Sequence, residues 1–202
     1  MDCVLTYYFD FILFNFSCLG HNITFHGMFR EGLFVSESVR KLTTAMPKGC
    51  RFVMMGTDGV AHPDGSDPKR TRFERGVLSI MRWLLPPVKD NERSAEILFE
   101  DAKNDESYDW VAVRPGDLIE IPEEAQSDAA KNYEIHEHTF GSLFGDNAVA
   151  RFQVAHFISN LATMDSESFQ KSYNHKMPVI YQTKQVVGTD SDKEDSLLST
   201  HE

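Results

Sequence analysis

Trp110-Val111-Ala112-Val113-Arg114-Pro115-Gly116 is the stretch that decides the fold. Val111 to Val113 are a short apolar run with Trp110 ahead of them, and Arg-Pro-Gly breaks the run at once. A continuous apolar run closed by a breaker reads as a strand buried on both faces. Such strands belong to parallel sheets covered by helices. In those sheets ligands lie just beyond the carboxyl ends of the strands, so the Arg-Pro-Gly turn falls where a ligand is expected.

Working outward, residues 11–18 and 51–55 are two further apolar runs. Between them Val35, Val39, Leu42 and Met46 recur at helical spacing, and Pro47 and Gly49 end that helix. After residue 55 comes a polar loop opening with Gly56-Thr57-Asp58-Gly59. Phe73, Val77, Ile80, Met81 and Leu84 then mark one face of a helix, stopped by Pro86-Pro87. Asp90 is an N-cap for the following helix, which buries Ala95, Leu98, Phe99 and Ala102. Residues 133–135 and 178–182 are short late strands, and Val154, Phe157, Ile158 and Leu161 mark a late helix. Residues 121–131 read as an acidic, Ala-rich loop, and residues 101–109 as a solvated helix end. The order strand, helix, strand, two helices, strand predicts an α/β fold, a parallel sheet with flanking helices. Residues 1–188 form the domain. Residues 189–202, rich in Asp, Ser, Lys and Glu, read as a disordered acidic tail.

The chain has 202 residues and a net charge of −11. So acidic a balance argues against a nucleic-acid or anionic-membrane partner. Three cysteines, Cys3, Cys18 and Cys50, with no metal-site spacing, fit a reduced compartment and a cytoplasmic setting. The apolar run 5–16 lacks the basic start and cleavage site of a signal peptide. It is read as a buried strand, with organelle or membrane association as the alternative. Glu134, His136 and His138 alternate and would share one strand face, but no further protein ligand to a metal is evident and a solvated face is preferred. Cys18 reads as a small core residue, and Arg114 as the partner of the acidic segment that follows it.

Five stretches together resemble the NmrA-like, atypical short-chain dehydrogenase/reductases, a family of NAD(P)-binding Rossmann proteins. Ser17-Cys18-Leu19-Gly20-His21-Asn22 resembles the loop after the family's fourth strand. Phe52-Val53-Met54-Met55-Gly56-Thr57 resembles its fifth strand and active-site loop. Leu85-Pro86-Pro87-Val88-Lys89-Asp90-Asn91-Glu92 resembles the entry to the next helix. Trp110 to Gly116 resembles the sixth strand, and Ala150-Arg151-Phe152-Gln153-Val154-Ala155-His156-Phe157 the start of the late helix. The resemblance runs from Asn15 to Tyr181. It implies that Leu19, Gly20 and His21 lie against the adenosine and nicotinamide ribose, that Thr57 presents a hydroxyl to substrate and cofactor, and that Pro115 and Gly116 meet the nicotinamide amide. The bland reading of the same residues is turn chemistry.

Two departures from the family stand out. No G-x-G-x-x-G or G-x-x-G-x-x-G occurs, so the Gly-rich turn that grips a diphosphate is missing. The expected fold is accordingly N-terminally truncated, with impaired NAD(P) binding. The Tyr-x-x-x-Lys positions fall on Val88 and Glu92, which cannot exchange a proton with substrate as Tyr-Lys does. The resemblance therefore implies an NAD(P)-binding protein with hydride transfer to a small carbonyl-type acceptor, or else a non-catalytic regulatory or scaffold protein of the NmrA-like kind. An open sheet edge would invite a protein partner or self-association.

Overall fold

In the computed structural model the described residues are 14–17, 33–104, 107–122, 126, 129–139 and 147–183. The elements, in chain order, are β1 (Phe14–Ser17), α1 (Phe34–Ala45), β2 (Arg51–Met55), α2 (Arg72–Leu84), α3 (Pro86–Asn104), β3 (Asp109–Pro115), β4 (Leu118–Ile119), β5 (Tyr133–His136), β6 (Val149–Ala150), α4 (Arg151–Thr163), α5 (Ser166–Ser172) and β7 (Val179–Gln182). The main sheet has the order β1-β2-β3-β7-β5. β1, β2, β3 and β7 run parallel, as the three apolar runs predict. β5 closes one edge antiparallel to β7. β4 and β6 make a separate two-stranded parallel sheet.

Alternation along the strands splits the core into two layers. Phe52, Met54, Trp110 and Ala112 face α1 and α3, where they meet Val35, Val39, Ala95 and Leu98. Val53, Val111, Val113 and Ile180 face α4 and α5, where they meet Val154, Phe157, Leu161 and Phe169. Both faces of the central strands are thus buried, which is why their sequences are continuously apolar.

Several expectations are corrected. β3 does not stop at Arg-Pro-Gly but runs on through Pro115. Arg114 pairs with Val179 and Pro115 with Ile180. Proline fits because its nitrogen faces the β2 side, past the last residue of β2. Leu42 is 38% exposed, and Thr43 is the buried residue of that turn of α1. On α2 the apolar stripe points outward: Phe73 is 71% exposed, Ile80 59%, Trp83 83% and Leu84 49%. The buried residues of that helix are Glu74 and Leu78. Glu74 is drawn in by a capping box, in which its amide donates to Thr71 Oγ1 (3.2 Å) and the Thr71 amide donates to its carboxylate (2.9 Å).

Asp90 lies one turn inside α3, which begins at Pro86, so it caps no helix of its own. It is completely buried and accepts hydrogen bonds from the Val35 amide (2.7 Å) and the Ser36 amide (3.0 Å), at the start of α1. The residues before Phe14 and after Thr183 lie outside the described residues, as do the remainder of run 11–18, Cys18, and the tail 189–202. Among the described residues no helix is long and apolar enough to cross a membrane.

Candidate functional site

The carboxyl ends of β2 and β3 are held together beyond the strands themselves. The Gly56 amide donates to Val113 O (2.8 Å) and the Asp58 amide to Pro115 O (3.0 Å). Thr57 therefore sits on the rim that the strand order predicts. Its Oγ1 accepts from the Gly59 amide (3.3 Å), and its carbonyl accepts from the Val60 amide (3.1 Å). The hydroxyl is thus a turn-former, and its own proton remains to be donated.

A cleft of about 170 Å³ opens there, lined by Thr57, Asp58, Asn91, Asp117 and Asn147 on its polar side and by Val60, Leu78, Met81 and Val88 on its apolar side. Tyr181 donates its hydroxyl to Asp58 Oδ2 (3.3 Å), and Arg70 donates to the Asp58 carbonyl (2.6 Å). Burial pushes the Asp58 carboxyl up; Arg70, the Tyr181 hydroxyl and Arg114 pull against this, and Asp117 adds to it. Burial also pushes the Tyr181 phenol up, aided by the charge of Asp58, so it stays a donor at neutral pH.

Arg114 shapes this rim from below. It is fully buried, and all five of its N–H groups are used. Nε donates to Met177 O (2.7 Å). Nη1 donates to Val60 O (3.0 Å) and Asp67 Oδ2 (2.5 Å). Nη2 donates to Asp67 Oδ1 and Glu137 O (both 3.3 Å). Its partner is thus Asp67, in the loop before α2, and not the acidic segment that follows it. Asp67 also accepts from the His62 amide (2.7 Å), which ties the loop into one body.

Pro115 and Gly116 stand behind Thr57 and Asp58, and neither is among the residues lining the cleft. At Gly116 a Cβ would fall 1.8 Å from Asn147 O. Glycine is required here by backbone against backbone, a contact no ligand has to explain. Gly116→Ala is expected to lower stability by about 1–3 kcal/mol, a drop in Tm of about 2–12 °C for a domain this size. Thermal denaturation followed by circular dichroism checks it.

Leu19, Gly20 and His21 lie outside the described residues. Glu134, His136 and His138 do not converge: His136 meets Glu134 (3.3 Å) and His138 turns to Asp67 (3.5 Å). Among the described residues no group of three His, Cys, Asp or Glu could hold a metal ion. Sequence reasoning does not single out Asp58, Asn91, Asp117 or Asn147. Asp58 and Asp117 each adjoin a residue that it does, Thr57 and Gly116, and a rim reading extended by one position finds both. Asn91 and Asn147 arrive from other elements and carry no local signal. Of the two Tyr-Lys positions, Val88 lines the cleft. Glu92 is held by Arg82, whose Nε donates to both carboxylate oxygens (2.7 and 2.9 Å).

No protein-family model and no curated protein sequence matches the chain. Solved structures do. A provisionally named NAD-dependent epimerase/dehydratase from Bacillus halodurans is 16% identical, with a TM-score of 0.51; the match covers 84% of this chain and 64% of that one. A Lactobacillus casei protein from a structural genomics programme is 12% identical, with a TM-score of 0.56, covering 87% of this chain and 72% of that one. The chain thus spans less than two thirds of the Bacillus protein's length. At these identities the likeness shows the fold, a Rossmann-like parallel sheet with flanking helices.

Proposed function

We infer that the chain is a nicotinamide-dinucleotide-linked Rossmann-type protein of the atypical short-chain reductase kind, with the cleft at Thr57 and Asp58 as its small-molecule site. The observation that carries this reading is the position of the cleft, at the carboxyl ends of adjacent parallel strands, where open α/β sheets take their ligands. Hydride transfer to a small carbonyl-type acceptor is the reaction such a site suits. Thr57 has a hydroxyl proton to offer an acceptor oxygen, and the raised carboxyl of Asp58 stands beside it.

The described residues fit the nicotinamide and substrate end of such a ligand but not its diphosphate. Among the described residues, the first helix N-termini after β1 and after β2 are already filled, that of α1 by the Asp90 carboxylate and that of α2 by Thr71. An anion seeking backbone amides and a helix dipole finds both taken. The second reading, a non-catalytic regulatory or scaffold protein of the NmrA-like kind, is favoured by Val88 in the cleft wall and by Glu92 turned to Arg82.

Calorimetric titration with NADPH separates these readings from a fully competent reductase. Charge-assisted hydrogen bonds are worth about 1.5–3 kcal/mol each, and each 1.4 kcal/mol is about tenfold in affinity. Losing two such bonds is expected to weaken NADPH binding by roughly a hundredfold or more. A micromolar dissociation constant for this chain would overturn the poor-binding reading. Heat from NADPH that Thr57→Val and Asp58→Asn leave unchanged would overturn the placing of the site in this cleft.

A further inference from the structure

The outer face of α2 carries a run of exposed apolar side chains that neither the core nor the cleft uses. Ile80, Trp83 and Leu84 are 59%, 83% and 49% exposed. They lie within one and a half turns, on one side of a helix whose buried side is Glu74 and Leu78. An exposed cluster of this size on a folded domain marks a contact surface.

Charge says what kind of contact. Residues 69–82 hold five basic side chains, Lys69, Arg70, Arg72, Arg75 and Arg82, and a single acid, Glu74. Glu74 is buried in its capping box, and Arg70 and Arg82 are engaged with Asp58 and Glu92. Arg72 and Arg75 are exposed on α2. In a chain of net charge −11 this is a local positive strip beside an apolar one. A fitting occupant is acidic with a few aliphatic side chains.

The chain itself carries such a segment. Residues 184–202 include Asp190, Asp192, Glu194 and Asp195, with Val186 and Val187 before them and Leu197 and Leu198 after. The segment begins where the described residues end, after Thr183. It follows β7, whose Tyr181 is hydrogen-bonded to Asp58, and Asp58 is bonded to Arg70, the residue before the α2 N-cap Thr71. Nineteen residues span up to about 60 Å when extended. The 13 residues of α2 span about 20 Å.

We propose that the acidic C-terminal segment 184–202 docks on the outer face of α2, its carboxylates on Arg72 and Arg75 and its aliphatic side chains over Ile80, Trp83 and Leu84. This docking is independent of the nicotinamide-linked function proposed for the cleft. Because Leu78 and Met81 of the same helix line the cleft, the docked segment would brace one cleft wall.

Tryptophan fluorescence tests it on the full chain. There are two tryptophans, and Trp110 is fully buried, so acrylamide quenching reports on Trp83. The expected result is that Trp83 is shielded in dilute buffer. Its quenching should rise about twofold or more at roughly 0.5 M salt, where the Debye length is about 4 Å. The same rise is expected in low salt when Asp190, Asp192, Glu194 and Asp195 are replaced by Lys, and Trp83→Phe should remove the responsive signal. Equal quenching in the parent and the charge-reversed variant overturns the proposal. So does shielding that disappears on dilution, which would mean a second copy is the occupant. So does shielding that appears only with phosphatidylserine vesicles, which would mean a membrane surface is.

Discussion

Replacing Asp67 with Asn is expected to cost about 3–5 kcal/mol, the usual loss when one member of a buried ion pair is removed. Against a total stability of about 5–15 kcal/mol for a domain, that leaves the protein near its folding threshold. The reason is the accounting at Arg114. All five guanidinium donors are satisfied inside the protein, two of them by Asp67. Asparagine keeps the shape but leaves a buried cation facing a neutral amide, part of which is itself a donor. Arg114→Lys is expected to be almost as damaging. A point ammonium has three donors and cannot reach Met177 O, Val60 O, Glu137 O and both Asp67 oxygens at once. The paired replacement Arg114→Met with Asp67→Leu should be better tolerated than either single change, because it leaves no charge behind. Urea denaturation of the parent, Arg114→Met, Asp67→Leu and the paired variant measures the coupling. Single variants within 0.5 kcal/mol of the parent would rule the clamp out as a stabilising element.

The same pair sets an acid limit. Burial pushes the Asp67 carboxyl up, but the hydrogen bonds and charge of Arg114, with the His62 and Thr139 amides, outweigh it, and the group titrates below the ordinary carboxylate range. A depressed carboxylate contributes stability that is full above the unfolded value, about 3.9, and is lost as pH falls toward the folded one. Denaturation midpoints should therefore fall on acidification below about pH 4 in the parent. That part of the slope should vanish in Asp67→Asn.

The clamp also shows where sequence reasoning reaches and where it stops. The strand runs around Phe52 and Val111 are legible because burial on both faces leaves nothing but apolar side chains, and burial is a local compositional signal. Thr57 on the rim follows from the strand ends alone. The partner of Arg114 does not: Asp67 is 47 residues earlier, in a loop whose path only the fold sets. The stripe on α2 is a different case. Its period shows correctly that the helix has an apolar face, yet period cannot say which face meets the sheet. A buried capping acid, Glu74, sits on the inward side instead. Gly116 is legible as a turn glycine, but its demand comes from the Asn147 backbone, 31 residues away in the chain.

Asp90 makes another of these long-range contacts, and its removal is the second large effect expected. Asp90→Ala should cost about 3 kcal/mol or more. The α1 N-cap position, Leu33, offers no side-chain acceptor. The first-turn amides of Val35 and Ser36 are buried and depend on one carboxylate delivered from α3. Deleting it strands two buried N–H groups, at about 1–3 kcal/mol each, and removes a negative charge from a helix N-terminus. Asp90→Asn should fall between, since its amide oxygen can accept from one amide while its NH₂ opposes the other. Thr71→Ala gives the scale for a cap supplied by its own helix, about 1 kcal/mol. The readout that separates this from simple cavity formation is amide hydrogen exchange: Val35 and Ser36 should lose protection in Asp90→Ala well before the strands β2 and β3 do. If their exchange is unchanged, or if Asp90→Ala costs no more than Thr71→Ala, the carboxylate is not what holds the start of α1.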